Sequence, residues 1–320
     1  MSPTTIAVLD PFHPDAITLL QSTPSITTIL PNTSQHQNWH GQADGVILRS
    51  DTRLTEEDFA KATPRLRVVV KQGVGVDNID LDAANKYGVA VHNTPALNSE
   101  SVAELSVALA FSLSRRVTEI DRRIRKGETI MRSQTLGISL FEKTVGIVGM
   151  GNIGIQAARK WRGVCSANII AYDPVVPKEA WADIPHKRVD TLQELLHEAD
   201  VVTLHVPLLP TTKGLIGEKE LSLMKENAIL VNTARGGLVD EKALLEALKK
   251  GKLWGAVLDA MEVEPPTTDA YPELLSLDNV ILTPHIGAST VETQSRSGCA
   301  AVKSVLAVLN GESNVPGRLV

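Results

Sequence analysis

Between Val148 and Ile155 the chain reads Gly149-Met150-Gly151-Asn152-Ile153-Gly154, and Asp173 follows 19 residues after the last of these glycines. That spacing suits the binding of a dinucleotide. Gly149 permits a tight turn after a strand, Gly151 lets the backbone approach a pyrophosphate, and Gly154 allows a helix to pack closely. The helix that starts there offers unpaired N–H groups and a positive dipole end to phosphates. Asp173, at the end of the next strand, can accept hydrogen bonds from the ribose hydroxyls and would repel a 2′-phosphate. Residues Pro174 to Pro177 supply no arginine to neutralise one. NAD is therefore expected over NADP. FAD is less expected, because no second adenine-side motif stands near the N-terminus.

Four more residues stand at or just after three strand ends. Arg235 follows Ala228–Val231 in Asn232-Thr233-Ala234-Arg235-Gly236-Gly237. Asp259 ends Gly255–Leu258, and Glu264 comes five residues later, before Pro265-Pro266. His285 follows Asn279–Leu282 in Thr283-Pro284-His285-Ile286-Gly287. In open α/β sheets ligands bind outside the carboxyl ends of the strands. Hydride transfer to a carbonyl needs a proton for its oxygen, and histidine can give one near neutral pH. A carboxylate such as Glu264 would fix the His285 ring and favour its charged form. Arg235 could bind a substrate carboxylate with its planar fork of donors. Singly, each is an ordinary turn or surface residue; beside a dinucleotide site they point together to one reaction. His186, His197 and His205 lack the spacing of metal ligands.

These residues need strands and helices to hold them. Apolar runs include Ile6–Leu9, Gly45–Leu48, Leu66–Val70, Thr144–Val148, Asn168–Tyr172, Val201–Leu204, Ala228–Val231, Gly255–Leu258 and Asn279–Leu282. They do not alternate, as expected of strands covered on both faces in a parallel sheet. Helices are expected from Asn98 towards Ser114, over Arg115–Lys126, over Glu241–Lys250 with Asp240 as N-cap and Gly251 as stop, and over about Ser289–Leu309. Thr191 and Glu194 form a candidate capping box. Alternation of strand and helix predicts a doubly wound α/β fold, and about a dozen strands predict two sheets. Composition alone places the break at the polar segment Gly127–Leu140 or the helix before it.

The 320 residues carry 32 Lys and Arg against 37 Asp and Glu, a net charge of −5. No basic block favours nucleic acid. Two cysteines, Cys165 and Cys299, make no disulfide framework, which fits a reducing, cytoplasmic setting. Neither a targeting segment nor a run long enough to span a membrane is seen. Phe 4, Tyr 3 and Trp 4 leave the core to Val, Leu, Ile and Ala.

Taken with further segments, the chain resembles the D-isomer-specific 2-hydroxyacid dehydrogenases. The matching stretches are Gly73–Asp80, Asn93-Thr94-Pro95, Ser101–Leu105, Gly149–Gly154, His205-Val206-Pro207-Leu208, Asn232–Gly237, Asp259 with Glu264-Pro265, and Pro284–Thr290. The resemblance implies a Rossmann NAD domain, residues 99–288, inserted into a flavodoxin-like substrate domain made of residues 1–98 and 289–320. It implies an active-site cleft between the two and a homodimer formed through the NAD domains. It makes Arg235 the substrate-binding arginine, Glu264 the partner of the histidine and His285 the acid/base. It assigns NAD contacts to Val74, Gly149, Gly151, Asn152, Ile153, Gly154, Asp173, His205, Val206, Pro207, Thr233, Ala234, Arg235, Asp259, His285 and Gly287. Gly73, Val74 and Gly75 would offer backbone N–H groups to a substrate carboxylate.

The nearest subgroup is that of the D-3-phosphoglycerate dehydrogenases of serine biosynthesis, on Val46–Ser50 and Val69–Gly75. Arg49 and Lys71 would then face a substrate phosphate, although Lys71 stands where that subgroup commonly has arginine and offers no bidentate fork. With the chain ending at Val320, feedback control through an added regulatory domain is not expected. Reduction of glyoxylate or hydroxypyruvate is the alternative within the family. An NAD-sensing corepressor-like scaffold is the alternative outside enzymology. An NAD-dependent hydrolase of thioether nucleosides would need a longer substrate region.

Overall fold

The computed structural model describes residues 3–177 and 179–320. Met1 and Ser2, which open the segment read for a targeting signal, lie outside the described residues, as does Lys178. The chain divides into two compact units, Met1–Asn98 with Ala288–Val320, and Ser99–Gly287.

The first unit opens with β1 (Thr4–Val8), α1 (Pro14–Gln21), β2 (Ile26–Ile29), β3 (Gly45–Leu48), α2 (Glu56–Ala62), β4 (Val68–Lys71), α3 (Leu81–Lys86) and β5 (Ala90–Asn93). The second contains α4 (Ser99–Ser114), α5 (Val117–Arg125), β6 (Thr144–Val148), α6 (Asn152–Cys165), β7 (Asn168–Tyr172), β8 (Lys187–Arg188), α7 (Leu192–Glu198), β9 (Val201–Leu204), α8 (Glu218–Leu223), β10 (Ile229–Asn232), α9 (Glu241–Lys249), β11 (Gly255–Leu258), α10 (Pro272–Ser276) and β12 (Val280–Leu282). Helix α11 (Val291–Leu309) returns the chain to the first unit.

Both sheets are parallel throughout. The first runs β2-β1-β3-β4-β5, the flavodoxin-like order. The second runs β12-β11-β10-β9-β6-β7-β8, the Rossmann order extended by one strand. Its direction of winding reverses between β6 and β9, so a ligand crevice is expected beyond their carboxyl ends. Strands β3, β4, β9, β10 and β11 are buried along their whole length, which is why their sequences run apolar without alternation.

Several local readings need correction. Segment 127–140 does not divide the units. It lies inside the second, where the Ile138 N–H donates to the Ser114 carbonyl (2.8 Å) and Leu140 is buried. The helix expected from Arg115 starts at Val117, because Arg116 adopts a left-handed turn (φ 56°) that breaks it from α4. Thr191 does cap α7 by accepting the Glu194 N–H, but only this half of the box is formed. Asp240 caps α9 by accepting the Lys242 and Ala243 N–H groups (3.1 and 3.0 Å), and Gly251 follows its end in the left-handed region.

Candidate active site

The glycine-rich turn leaves β6 at Gly149, whose φ of 99° only glycine adopts without strain. A β-carbon there would also lie 2.5 Å from the His205 carbonyl oxygen at the end of β9. One at Gly154 would lie 2.1 Å from the Gly149 oxygen, so helix and turn touch through missing side chains. At Gly151 a β-carbon would meet nothing within 4 Å, so the space over the start of α6 is open. Gly151 gives that helix no side-chain cap, and Asn152 and Ile153 begin it with N–H groups directed at that space. Two buried polar atoms directly after β9 and β10, His205 Nδ1 and Thr233 Oγ1, have no protein partner. An open N-terminus, a cradle of glycines and two orphaned polar atoms fit a dinucleotide. Burial pushes His205 down to about 4, so its ring is neutral at working pH. Val206 borders the turn, Pro207 follows it with its carbonyl accepting the Thr212 hydroxyl (2.7 Å), and Ala234 is buried with its N–H on Asn232 Oδ1 (3.1 Å).

Asp173 is locked to the same turn. Its Oδ2 accepts the Met150 N–H (2.8 Å), and its Oδ1 accepts those of Val175 and Val176 (2.8 and 3.2 Å). Two residues that sequence reading missed complete the lock. The Trp181 indole donates to the Met150 carbonyl (3.0 Å), so the Met150 peptide is held at both ends. Arg188, on the edge strand β8, donates to the carbonyls of Asp173, Val176 and Pro177 (2.7, 2.8 and 2.6 Å). An arginine therefore does stand beside the 174–177 loop, but backbone carbonyls engage its guanidinium. No spacing signal ties Trp181 or Arg188 to the fingerprint.

Arg235, Glu264 and His285 project from turns that follow β10, β11 and β12. Buried Asn232 shapes the first turn, its amide donating to the carbonyls of Arg235 (2.8 Å) and Ala260 (3.2 Å). Gly236 lies against the Glu264 loop so closely that a β-carbon would sit 2.0 Å from the Met261 oxygen. Buried Asp259 organises the His285 turn: it accepts the Thr283 hydroxyl (2.6 Å) and the N–H groups of Ile286 (2.8 Å) and Gly287 (2.9 Å). His285 itself sits at φ 57°, a strained position for a non-glycine residue that this network supports.

Glu264 Oε2 lies 3.0 Å from His285 Nδ1. Burial pushes the Glu264 carboxyl up, but the His285 hydrogen bond and charge, the Met261 N–H and the Arg235 charge together hold it below the usual carboxylate range. An ionised Glu264 requires a proton on Nδ1, which leaves Nε2 as the nitrogen that faces outward. The arrangement can hold a proton at a defined atom, and Arg235 adds a positive charge close enough to bear on Glu264.

Arg49, Lys71, Gly73, Val74 and Gly75 belong to the first unit. Gly73 donates its N–H to Thr94 Oγ1 (2.7 Å), so only Val74 and Gly75 remain as N–H donors to a ligand, which narrows the expected trio. Lys71 is 3 % exposed, with its Nζ donating to Ser50 Oγ (3.1 Å) and the Gln72 carbonyl (3.2 Å). Arg49 is half-buried; its guanidinium donates to the Pro11 carbonyl (3.2 Å) and its backbone N–H to Asp10 Oδ2.

Residues 107–287 match the model of the NAD-binding domain of the D-isomer-specific 2-hydroxyacid dehydrogenases. A D-3-phosphoglycerate dehydrogenase of Methanocaldococcus jannaschii is 43 % identical over 308 residues, 96 % of this chain and 58 % of that protein. A hydroxypyruvate reductase of Thermotoga maritima is 40 % identical over 264 residues, 82 % of this chain and 84 % of its own. The chain thus spans little more than half the length of the first of these relatives. A solved structure from Thermus thermophilus superposes with a TM-score of 0.89 at 34 % identity, covering 99 % of this chain and 100 % of that one. With a family model across more than half its length and a relative matched nearly end to end, the chain belongs to the D-isomer-specific 2-hydroxyacid dehydrogenase family.

Proposed function

We propose that the protein is an NAD-dependent oxidoreductase that interconverts a D-2-hydroxy acid and its 2-keto acid. The observation that carries this reading is the 3.0 Å pairing of His285 with a depressed Glu264 carboxylate, in the unit that holds the glycine-rich turn. When bound, the nicotinamide supplies the hydride. His285 gives a proton from Nε2 to the carbonyl oxygen during reduction and takes it back during oxidation. Glu264 accepts the Nδ1 proton and fixes the orientation of the ring. Arg235 binds the substrate carboxylate. Asp173 selects NAD over NADP.

The foremost substrate pair is D-3-phosphoglycerate and 3-phosphohydroxypyruvate, with Arg49 as the phosphate ligand. Burial of Lys71, its ammonium held by Ser50 and Gln72, favours the second reading, an unphosphorylated acid such as hydroxypyruvate or glyoxylate. NADH oxidation measured against 3-phosphohydroxypyruvate, hydroxypyruvate, glyoxylate, pyruvate and 2-oxoglutarate decides between them. Failure with every acid would favour a corepressor-like scaffold. Arg49→Ala should raise KM for the phosphorylated acid by about tenfold or more and leave the others within about twofold. Equal effects on both classes would remove Arg49 from the phosphate site. We further propose a cytoplasmic homodimer. Exposed Val117, Ile124, Met131, Leu136 and Phe141 on the NAD-binding unit support that association, and the sedimentation mass tests it. Among the described residues no helix is long and apolar enough to cross a membrane.

A further inference from the structure

Met261 roots the loop that carries Glu264 in the core, but the residues after it have little packing of their own. Glu262 is exposed, Val263 is 54 % exposed, and a cavity of about 590 Å³ opens against both. Yet three successive N–H groups of this loop are each taken by a side chain. Met261 donates to Glu264 Oε1 (3.1 Å), Glu262 to Glu241 Oε1 (2.7 Å), and Val263 to the Tyr271 hydroxyl (2.8 Å). Tyr271 and Glu241 also bear on each other electrostatically, so the two anchors act on the loop side by side. Both residues are anchored at helix starts. Glu241 is the first residue of α9, directly after the capping Asp240, and Tyr271 is the N-cap of α10, 8 % exposed. Beyond Met261, the position of Glu262–Glu264 is therefore set by these acceptors more than by core packing.

We propose that Glu241 and Tyr271 are positioning residues for the catalytic pair, a latch that holds the Met261–Glu264 loop where Glu264 meets His285. Burial pushes the Tyr271 phenol up to about 12, so its O–H donor persists at every working pH. Besides Tyr271, the charged groups bearing on Glu241 are Glu262 and Glu264, and those bearing on Glu264 are His285 and Arg235. The inference rests on the hydride-transfer reading for its kinetics but not for its geometry.

Glu241→Ala and Tyr271→Phe should each lower kcat for reduction by about tenfold and leave NADH affinity within about twofold. Glu241→Gln keeps an acceptor for the Glu262 N–H and should recover most of kcat. In a Glu264→Gln background both losses should vanish, since nothing is left to position. Equal losses in that background, or a parallel fall in NADH affinity, would overturn the latch. A second readout needs no turnover. The His285 Nδ1–H resonance in Glu241→Ala should move toward its position in Glu264→Gln, and an unmoved resonance would overturn the proposal. Absence of wild-type turnover with every keto acid would count against the hydride-transfer reading, and the resonance would then decide the latch alone.

Discussion

His285 works only if one of its nitrogens is committed, and Glu264 makes that commitment at Nδ1. The depressed Glu264 carboxyl keeps a negative charge beside the ring across the neutral range. That carboxylate accepts the hydrogen bond from Nδ1 and leaves Nε2 as the atom that would face a substrate. Glu264→Gln removes the charge and loosens the ring. In the proposed reaction kcat for reduction should then fall by about tenfold to a hundredfold, with NADH affinity within about twofold. An unchanged kcat would show that Glu264 does not act through His285. Arg235, Glu264 and His285 were legible because each follows an apolar run at a strand end. Glu241, Tyr271, Asn232, Trp181 and Arg188 were not. They act on backbone groups at irregular separations, from Asn232 on nearby Arg235 to Trp181 on distant Met150, and such contacts leave no spacing pattern.

At the scale of elements, β7 and the edge strand β8 act on the cofactor end together. Asp173 ends one, and Arg188 in the other fixes the loop that Asp173 opens. Asp173→Ala should cut the preference for NADH over NADPH, expected to be at least about tenfold in kcat/KM, to near parity. Arg188→Ala should weaken NADH binding by about threefold to tenfold with little change in kcat. A full loss of kcat in Arg188→Ala would point instead to general misfolding. Helix α5 carries an electrostatic device of its own. The Arg116 hydrogen bonds to buried Glu119, joined by Arg123, hold its carboxyl below the usual range. A depressed folded value adds stability above the unfolded carboxylate pKa of about 4.3 and loses it as pH falls through the folded value. Glu119→Gln should lower Tm at pH 7 by about 2–6 °C and flatten the acid side of the Tm profile. The Asp240 cap of α9 was legible because capping is local. The break between α4 and α5 was legible too, but not the left-handed turn at Arg116 that delays α5 to Val117.

At the scale of the molecule, the parallel doubly wound sheets were legible from the unalternating interior strands. Three strands escaped notice, β2, β5 and β8, and each lies at a sheet edge. Each departs from a plain apolar run: β2 is largely open, β5, though mostly buried, ends in His92 and Asn93, and β8 has only two residues. The fourth edge strand, β12, which precedes His285, was read because its residues are apolar, as are those of the interior strands. In the proposed reaction the fold presents His285 as the proton donor to a bound keto acid. The reduction rate of His285→Ala, measured beside its NADH affinity, tests this. kcat should fall by about 10²–10⁴ with NADH affinity nearly unchanged. Turnover at the wild-type rate would remove His285 from that role.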